Sequence, residues 1–200
     1  MTRYLNTAIR MVFITLILFG VIYPLVITGI AQLLFPRQAN GSLLEHNGKL
    51  VGSALLGQPF ARPEYFHPRP SAAGNGYDPM ASGGSNFAPT SAALSNRVTV
   101  DIAHLTQENP TLNPAEIPVD MVTASASGLD PDITLANADA QAARIAAARG
   151  TTPARIRQLI DEQTLSRQFG ILGEPRINVL SINLALDARI GQPHTLVAER

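Results

Sequence analysis

Four histidines, His46, His67, His104 and His194, are the side chains best suited to metal or acid–base chemistry, and none shares a metal-site spacing with another. Serine chemistry needs an activating neighbour, and Gly83-Gly84-Ser85-Asn86 lacks the second flanking glycine of a nucleophile elbow. Gly41 to Lys49 has the wrong spacing for a phosphate-binding loop, and Leu50 stands where Ser or Thr would hold magnesium. Asp130 and Asp132 flank a proline, too few oxygens for a calcium loop and better suited to a turn or cap. The chain has no cysteine, which excludes disulfides, thiolate metal sites and a cysteine nucleophile.

Two segments carry more. Ser82-Gly83-Gly84-Ser85-Asn86 has the composition of a backbone nest for an anion, although a tight turn into a following helix explains it as well. Tyr65-Phe66 with Arg69-Pro70-Ser71 sets an arginine among aromatics, able to stack or to pair with a carboxylate. A tight turn is the simpler use of the first and pinning a loop of the second, and Tyr65, Phe66, Arg69, Ser71, Ser85 and Asn86 form a candidate interaction loop. The enzymatic alternative is a membrane-tethered exported serine hydrolase using Ser71 or Ser85 with His67. No enzyme constellation outweighs its structural explanation.

The elements that must position these residues begin with an uncharged run from Met11 to Phe35, bracketed by Arg10 and Arg37. As a helix it is roughly 38 Å long, more than a bilayer's ~30 Å hydrocarbon core. It exceeds the usual apolar segment of a cleaved signal, although Gly29-Ile30-Ala31 puts small residues where a peptidase cuts. It is also too long and apolar for an ordinary core helix. An anchor is favoured, with residues 1–10 as a short cytoplasmic arm, 11–35 as the span and 36–200 as one extracytoplasmic domain. Basic residues flank both ends in balance, Arg3 and Arg10 against Arg37 and Lys49. The short arm favours an N-terminus inside and a C-terminus outside. Gly20, Pro24, Thr28 and Gln32 recur every four residues, a small and polar stripe suited to close packing against a partner helix. Pro24 is placed to kink the span. With zero formal net charge there is no basic excess to attract nucleic acid.

Beyond the span, Leu50–Leu56 reads as a strand closed by Gly57. Pro59–Pro89 admits no ordinary helix, yet Phe60, Tyr65, Phe66, Tyr77 and Phe87 lie along it. It reads as an ordered, irregular excursion pinned by rings. A helix is expected from about Thr90 to Asn109, through Leu94, Val98, Ile102 and Leu105. Val119–Thr123 reads as a short strand and Ser125–Pro131 as turns. Ala136–Arg149 is a helix stopped by Gly150, and Thr152-Pro153 starts another with Ile156, Leu159, Ile160 and Leu165 on its apolar face. Alternation over Leu180, Ile182, Leu184 and Leu186 predicts a half-buried strand. The fold class expected is α+β: one transmembrane helix, then a single mixed helix/strand domain.

In order along nearly the whole chain stand Tyr23-Pro24-Leu25-Val26-Ile27-Thr28-Gly29-Ile30-Ala31-Gln32, Gly52-Ser53, Gly57-Gln58 with Phe60, and Tyr65-Phe66-x-x-Arg69-Pro70-Ser71-Ala72. Ser82-Gly83-Gly84-Ser85-Asn86, Ser125-x-Ser127-Gly128-Leu129-Asp130-Pro131, Gln141-x-x-Arg144 and Ala148-Arg149-Gly150 follow. Leu172-Gly173-Glu174-Pro175-Arg176-Ile177-Asn178-Val179-Leu180 and Asn183-Leu184-Ala185-Leu186-Asp187 complete the series. This series resembles the C subunit of the Kdp-type potassium-transporting ATPase of bacteria, the KdpC family. Asp132 stands where the family usually has histidine, Asp78 where it has asparagine, and Phe87-Ala88 where it has Leu-Gly.

The resemblance implies a non-catalytic accessory subunit, single-pass in the inner membrane. Its implied partners are a potassium-channel-like subunit and a P-type subunit that hydrolyses ATP. It also implies a catalytic chaperone that raises the ATP affinity of the hydrolysing subunit. ATP-binding enters only that way, through the complex, and no cofactor-binding residue is assigned here.

Overall fold

A computed structural model describes residues 2–46 and 48–191, so His194 lies outside the described residues. The chain forms two compact units, Met1–Leu44 and Glu45–Arg200. In the first, α1 (Thr2–Ile17) and α2 (Tyr23–Leu34) are joined without a break by a π-turn over Leu18–Ile22. Together they make a helix over Thr2–Leu34, long and apolar enough to cross a membrane, with no residue of its most apolar stretch buried. Pro24 accounts for the π-turn. It has no N–H for the Gly20 carbonyl, and its ring would strike that carbonyl in a regular α-helix. The Tyr23 N–H instead reaches back five residues to the Leu18 oxygen, which widens the turn beside the proline. A short α3 (Pro36–Ala39) follows, and Gln32 and Asn40 exchange side-chain hydrogen bonds of 3.3 and 3.2 Å.

Next in the chain, β1 (Leu43–His46) and β2 (Lys49–Ser53) form a two-stranded sheet. The strand expected at Leu50–Leu56 thus starts one residue earlier and stops at Ser53, whose hydroxyl accepts the Leu55 N–H at 3.1 Å and begins a turn. Gly57 then donates to the Leu129 oxygen at 2.8 Å, where a Cβ would lie 2.6 Å from the Asp130 oxygen. Residues 59–89 contain no helix or strand, as their prolines require. Of the rings along them, Phe66 is fully buried while Phe87 is exposed. The next helix, α4 (Ala92–Glu108), ends at Asn109 and half-buries Leu94, Val98, Ile102 and Leu105.

The core is built from two strand-to-helix units. β3 (Asp132–Thr134) runs into α5 (Leu135–Arg149), then α6 (Pro153–Gln163), and β4 (Arg176–Asn178) runs into α7 (Val179–Ile190). β3 and β4 are antiparallel, with Ile133 opposite Ile177 and both buried. Each helix begins on a side chain that accepts a backbone N–H: Thr134 from Asn137, Thr152 from Arg155 and Asn178 from Ser181. Gly150 ends α5 in the left-handed conformation at φ 63°. Ile145, Ile156, Ile160, Ile182 and Leu186 close around the strand pair with Phe66.

Three expectations need correction. Val119–Thr123 is not a strand: Pro118 leads a 3-10 turn over Val119–Met121, and the Asp120 carboxylate accepts the Thr134 N–H at 2.9 Å. Residues 180–186 are helical: of the buried Val179, Leu180, Ile182, Asn183 and Leu186, four (Val179, Ile182, Asn183 and Leu186) follow at spacings of three, one and three, one helix face. The apparent alternation arises because Leu180 also faces inward and Leu184 half-faces it. Leu165 is 46% exposed and not on α6's buried face. It pairs in both directions with the Arg176 backbone, extending the β4 edge.

Candidate functional site

The proline-rich segment is held against α5 and α7 by two amide side chains. Successive residues of an extended chain turn their peptide groups to opposite edges. Phe66 donates to Asn183 Oδ1 at 2.8 Å and accepts from Asn183 Nδ2 at 3.0 Å. His67 does the same with Gln141, at 2.8 and 3.1 Å. Each amide thereby replaces a strand partner, and the fully buried Phe66 ring enters the core with its polar backbone satisfied.

Gln141 is one member of a buried polar row along the alanine-rich α5. Asn137, Gln141 and Arg144 follow at i, i+4 and i+7 and share a helix face. Gln141 Nε2 donates to Asn137 Oδ1 at 2.7 Å, and Asn137 Nδ2 donates to Asp120 at 3.0 Å. Arg144 donates to the Pro63 and Tyr65 carbonyls at 2.5 and 3.0 Å and to Gln141 Oε1 at 2.5 Å. Burial lowers the Arg144 pKa to about 10, against the pull of Glu108 and Glu64, so it stays cationic at neutral pH. Burial, aided by Arg144, pushes the His67 imidazole below its ordinary value. The Arg62 carbonyl, 3.0 Å from Nε2, and Glu108 pull the other way. Glu108 lies between His67 and His104, at 3.8 and 3.6 Å.

Tyr65 is held on the other side. Its hydroxyl donates to Asp187 at 3.0 Å, and Arg149 lies 4.8 Å over its ring while pairing with Asp187 at 2.7 Å. Burial and the neighbouring Asp187 raise the Tyr65 pKa. Arg69 pairs with Asp130 at 2.8 Å, so the arginine among aromatics does find a carboxylate. Ser71 Oγ donates to the Gly128 carbonyl at 2.6 Å and accepts the Ala73 and Tyr77 N–H groups at 3.2 and 2.8 Å. The Tyr77 hydroxyl returns to the Arg69 carbonyl at 2.6 Å, and burial raises its pKa to about 12. Gly128, at φ 68°, permits this contact: a Cβ there would sit 2.6 Å from both the Ala73 nitrogen and the Gly83 oxygen.

Tyr65, Phe66, Arg69 and Ser71 therefore lie together, seated on the Ser125–Pro131 turns and on α5 and α7. Gly83 and Ser82 join the same turns through the Ser127 carbonyl, at 2.9 Å each. Ser85 is half-buried, and Asn86 is exposed at φ 50°. Ser71 and His67 form no nucleophile–base pair, since the serine proton is given to Gly128 and His67 Nε2 faces the Arg62 carbonyl. Among the described residues no group of three or more His, Cys, Asp or Glu is placed to hold a metal. Of the span stripe, Thr28 and Gly20 are exposed, Pro24 borders the π-turn and Gln32 is bonded to Asn40.

Sequence reasoning missed Asn183, Asp187, Asn137 and Asp120. The polar row at i, i+4 and i+7 in an alanine helix was the available signal for Asn137. Two of the three departures have partners in the fold: Asp132 accepts from Arg176 at 2.8 Å and Asn178 at 3.2 Å, and Asp78 caps the Met80 N–H at 2.9 Å.

One helix long and apolar enough to cross a membrane, ahead of an α+β unit, fits a membrane protein. Residues 5–188 match the family model of KdpC, the K+-transporting ATPase, c chain. The chain is 56% identical over 185 residues to the potassium-transporting ATPase KdpC subunit of Acidobacterium capsulatum, covering 92% of this chain and 98% of that one. It is 50% identical over 193 residues to that of Koribacter versatilis, covering 96% and 98%. Against that of Myxococcus xanthus it is 52% identical over 186 residues, covering 92% and 88%. The chain belongs to the KdpC family.

Proposed function

We propose that the chain is a non-catalytic accessory subunit of a high-affinity, ATP-driven potassium uptake complex in the bacterial inner membrane. Its partners are a potassium-channel-like subunit and a P-type ATP-hydrolysing subunit. The span docks on their helices through the stripe of Gly20, Pro24, Thr28 and Gln32. The N-terminus is cytoplasmic and the α+β domain lies outside. The observation that carries this reading is the use made of the domain's reactive side chains. Ser71, His67, Gln141 and Arg144 are committed to backbone groups of the same domain. A scaffold so built supports assembly and acts on ATP affinity through its partners, without forming a reaction centre.

The test is the ATP dependence of hydrolysis by the membrane complex assembled with and without this chain. The expected result is a lower KM for ATP when the chain is bound. An unchanged KM and unchanged assembly would overturn the reading.

A further inference from the structure

Between α6 and β4 the chain makes a tight turn whose apolar tip is largely exposed to solvent. Gln168 and Leu172 pair across it, and the Ile171 and Leu172 N–H groups bond the Gln168 carbonyl at 3.2 and 2.9 Å. Phe169 and Gly170, at φ 54° and 78°, are the two central residues. Two successive positive φ values suit Asn-Gly or Gly-Gly, and an aromatic at the first of them is a local liability. The ring is also 83% exposed, beside Ile171 at 76% and Leu172 at 54%. A residue unfavourable to its turn and to solvent belongs to something outside the domain.

The charges at the base of the turn indicate what covers it. Arg167 pairs with Glu174 at 2.6 Å and Arg176 with Asp132 at 2.8 Å. Lipid headgroups would call for unpaired cations flanking the apolar tip. An aromatic anchor with aliphatic neighbours and a charge-neutral polar rim fits a protein pocket. We propose that the turn Gln168–Leu172 is a plug that seats Phe169, flanked by Ile171, in an apolar pocket on another subunit of the same transport complex. This rests on the accessory-subunit reading given above.

The experiment uses the full-length chain, titrated in mild detergent against the co-expressed partner subunits. Phe169→Asn installs the residue the turn prefers, and Ile171→Asn changes the tip outside the left-handed positions. Each variant is expected to weaken association roughly tenfold or more, with Phe169→Asn leaving the thermal midpoint of the free subunit unchanged or raised. Wild-type chain that fails to associate defeats the accessory-subunit reading. Wild-type chain that associates no better than both variants defeats the plug alone. The chain contains no tryptophan, so Phe169→Trp gives a single reporter for the free subunit in phosphatidylethanolamine–phosphatidylglycerol nanodiscs. Water-exposed emission, insensitive to brominated lipid, supports a protein pocket. Blue-shifted emission quenched by brominated lipid overturns it.

Discussion

At the scale of single residues, Asn183 and Gln141 each satisfy both polar groups of one buried or half-buried backbone residue. Asn183→Leu keeps the branched outline of the side chain and orphans the Phe66 N–H and C=O, for a cost of about 2–4 kcal/mol, measured by chemical denaturation followed by circular dichroism. His67 makes the domain pH-sensitive. Its folded-state value lies below the ordinary 6.5, since burial and Arg144 outweigh Glu108 and the Arg62 carbonyl, with His104 beyond Glu108 adding slightly. The unfolded state therefore binds the proton more readily, and stability is full above pH ~6.5 and falls as the pH drops below it. The loss between pH 7.5 and 5.5 is expected to be smaller in His67→Gln, as denaturation midpoints at the two values will show. Arg69 and Phe66 were legible in the sequence as loop pins. The partner of Phe66 was not, because a lone amide such as Asn183 that replaces a strand leaves no periodic trace, and Arg69 was legible only as pairing with some carboxylate, which the fold makes Asp130.

Among the elements, helices were legible wherever a cap and a stop agreed with the period. Thr152-Pro153 and Gly150 mark their boundaries by chemistry that acts locally. The last helix was not legible, because β4 supplies only three residues before Asn178 caps α7. The 180–186 run satisfies both periods, and only packing separates them. Leu186 is fully buried and Leu184 only partly so. Leu186→Ala is expected to cost about 2–4 kcal/mol and Leu184→Ala distinctly less, read from urea midpoints. A strand with both on one face would make the two losses equal. The π-turn before Pro24 also alters the stripe. The four-residue spacing from Gly20 to Pro24 crosses a widened turn, so the angle between those two about the helix axis differs from that between Pro24, Thr28 and Gln32.

For the whole molecule, the apolar run ahead of a polar domain was legible from charge alone, and the family from motif order between Tyr23 and Asp187, within the 5–188 that match its model. What the motifs hold together was not legible, since Tyr65–Ala72, Ser82–Asn86 and Ser125–Pro131 are far apart in sequence and meet only in the fold. Their meeting is internal, so the chain's outward business falls to its apolar helix and its surface turns. The most direct measurement of that claim is purification of the tagged full-length chain, in mild detergent, from cells co-expressing the channel-like and ATP-hydrolysing subunits. Both larger subunits are expected to come with it in fixed stoichiometry. Recovery of the chain alone, with an active potassium-stimulated ATPase left behind, would contradict it.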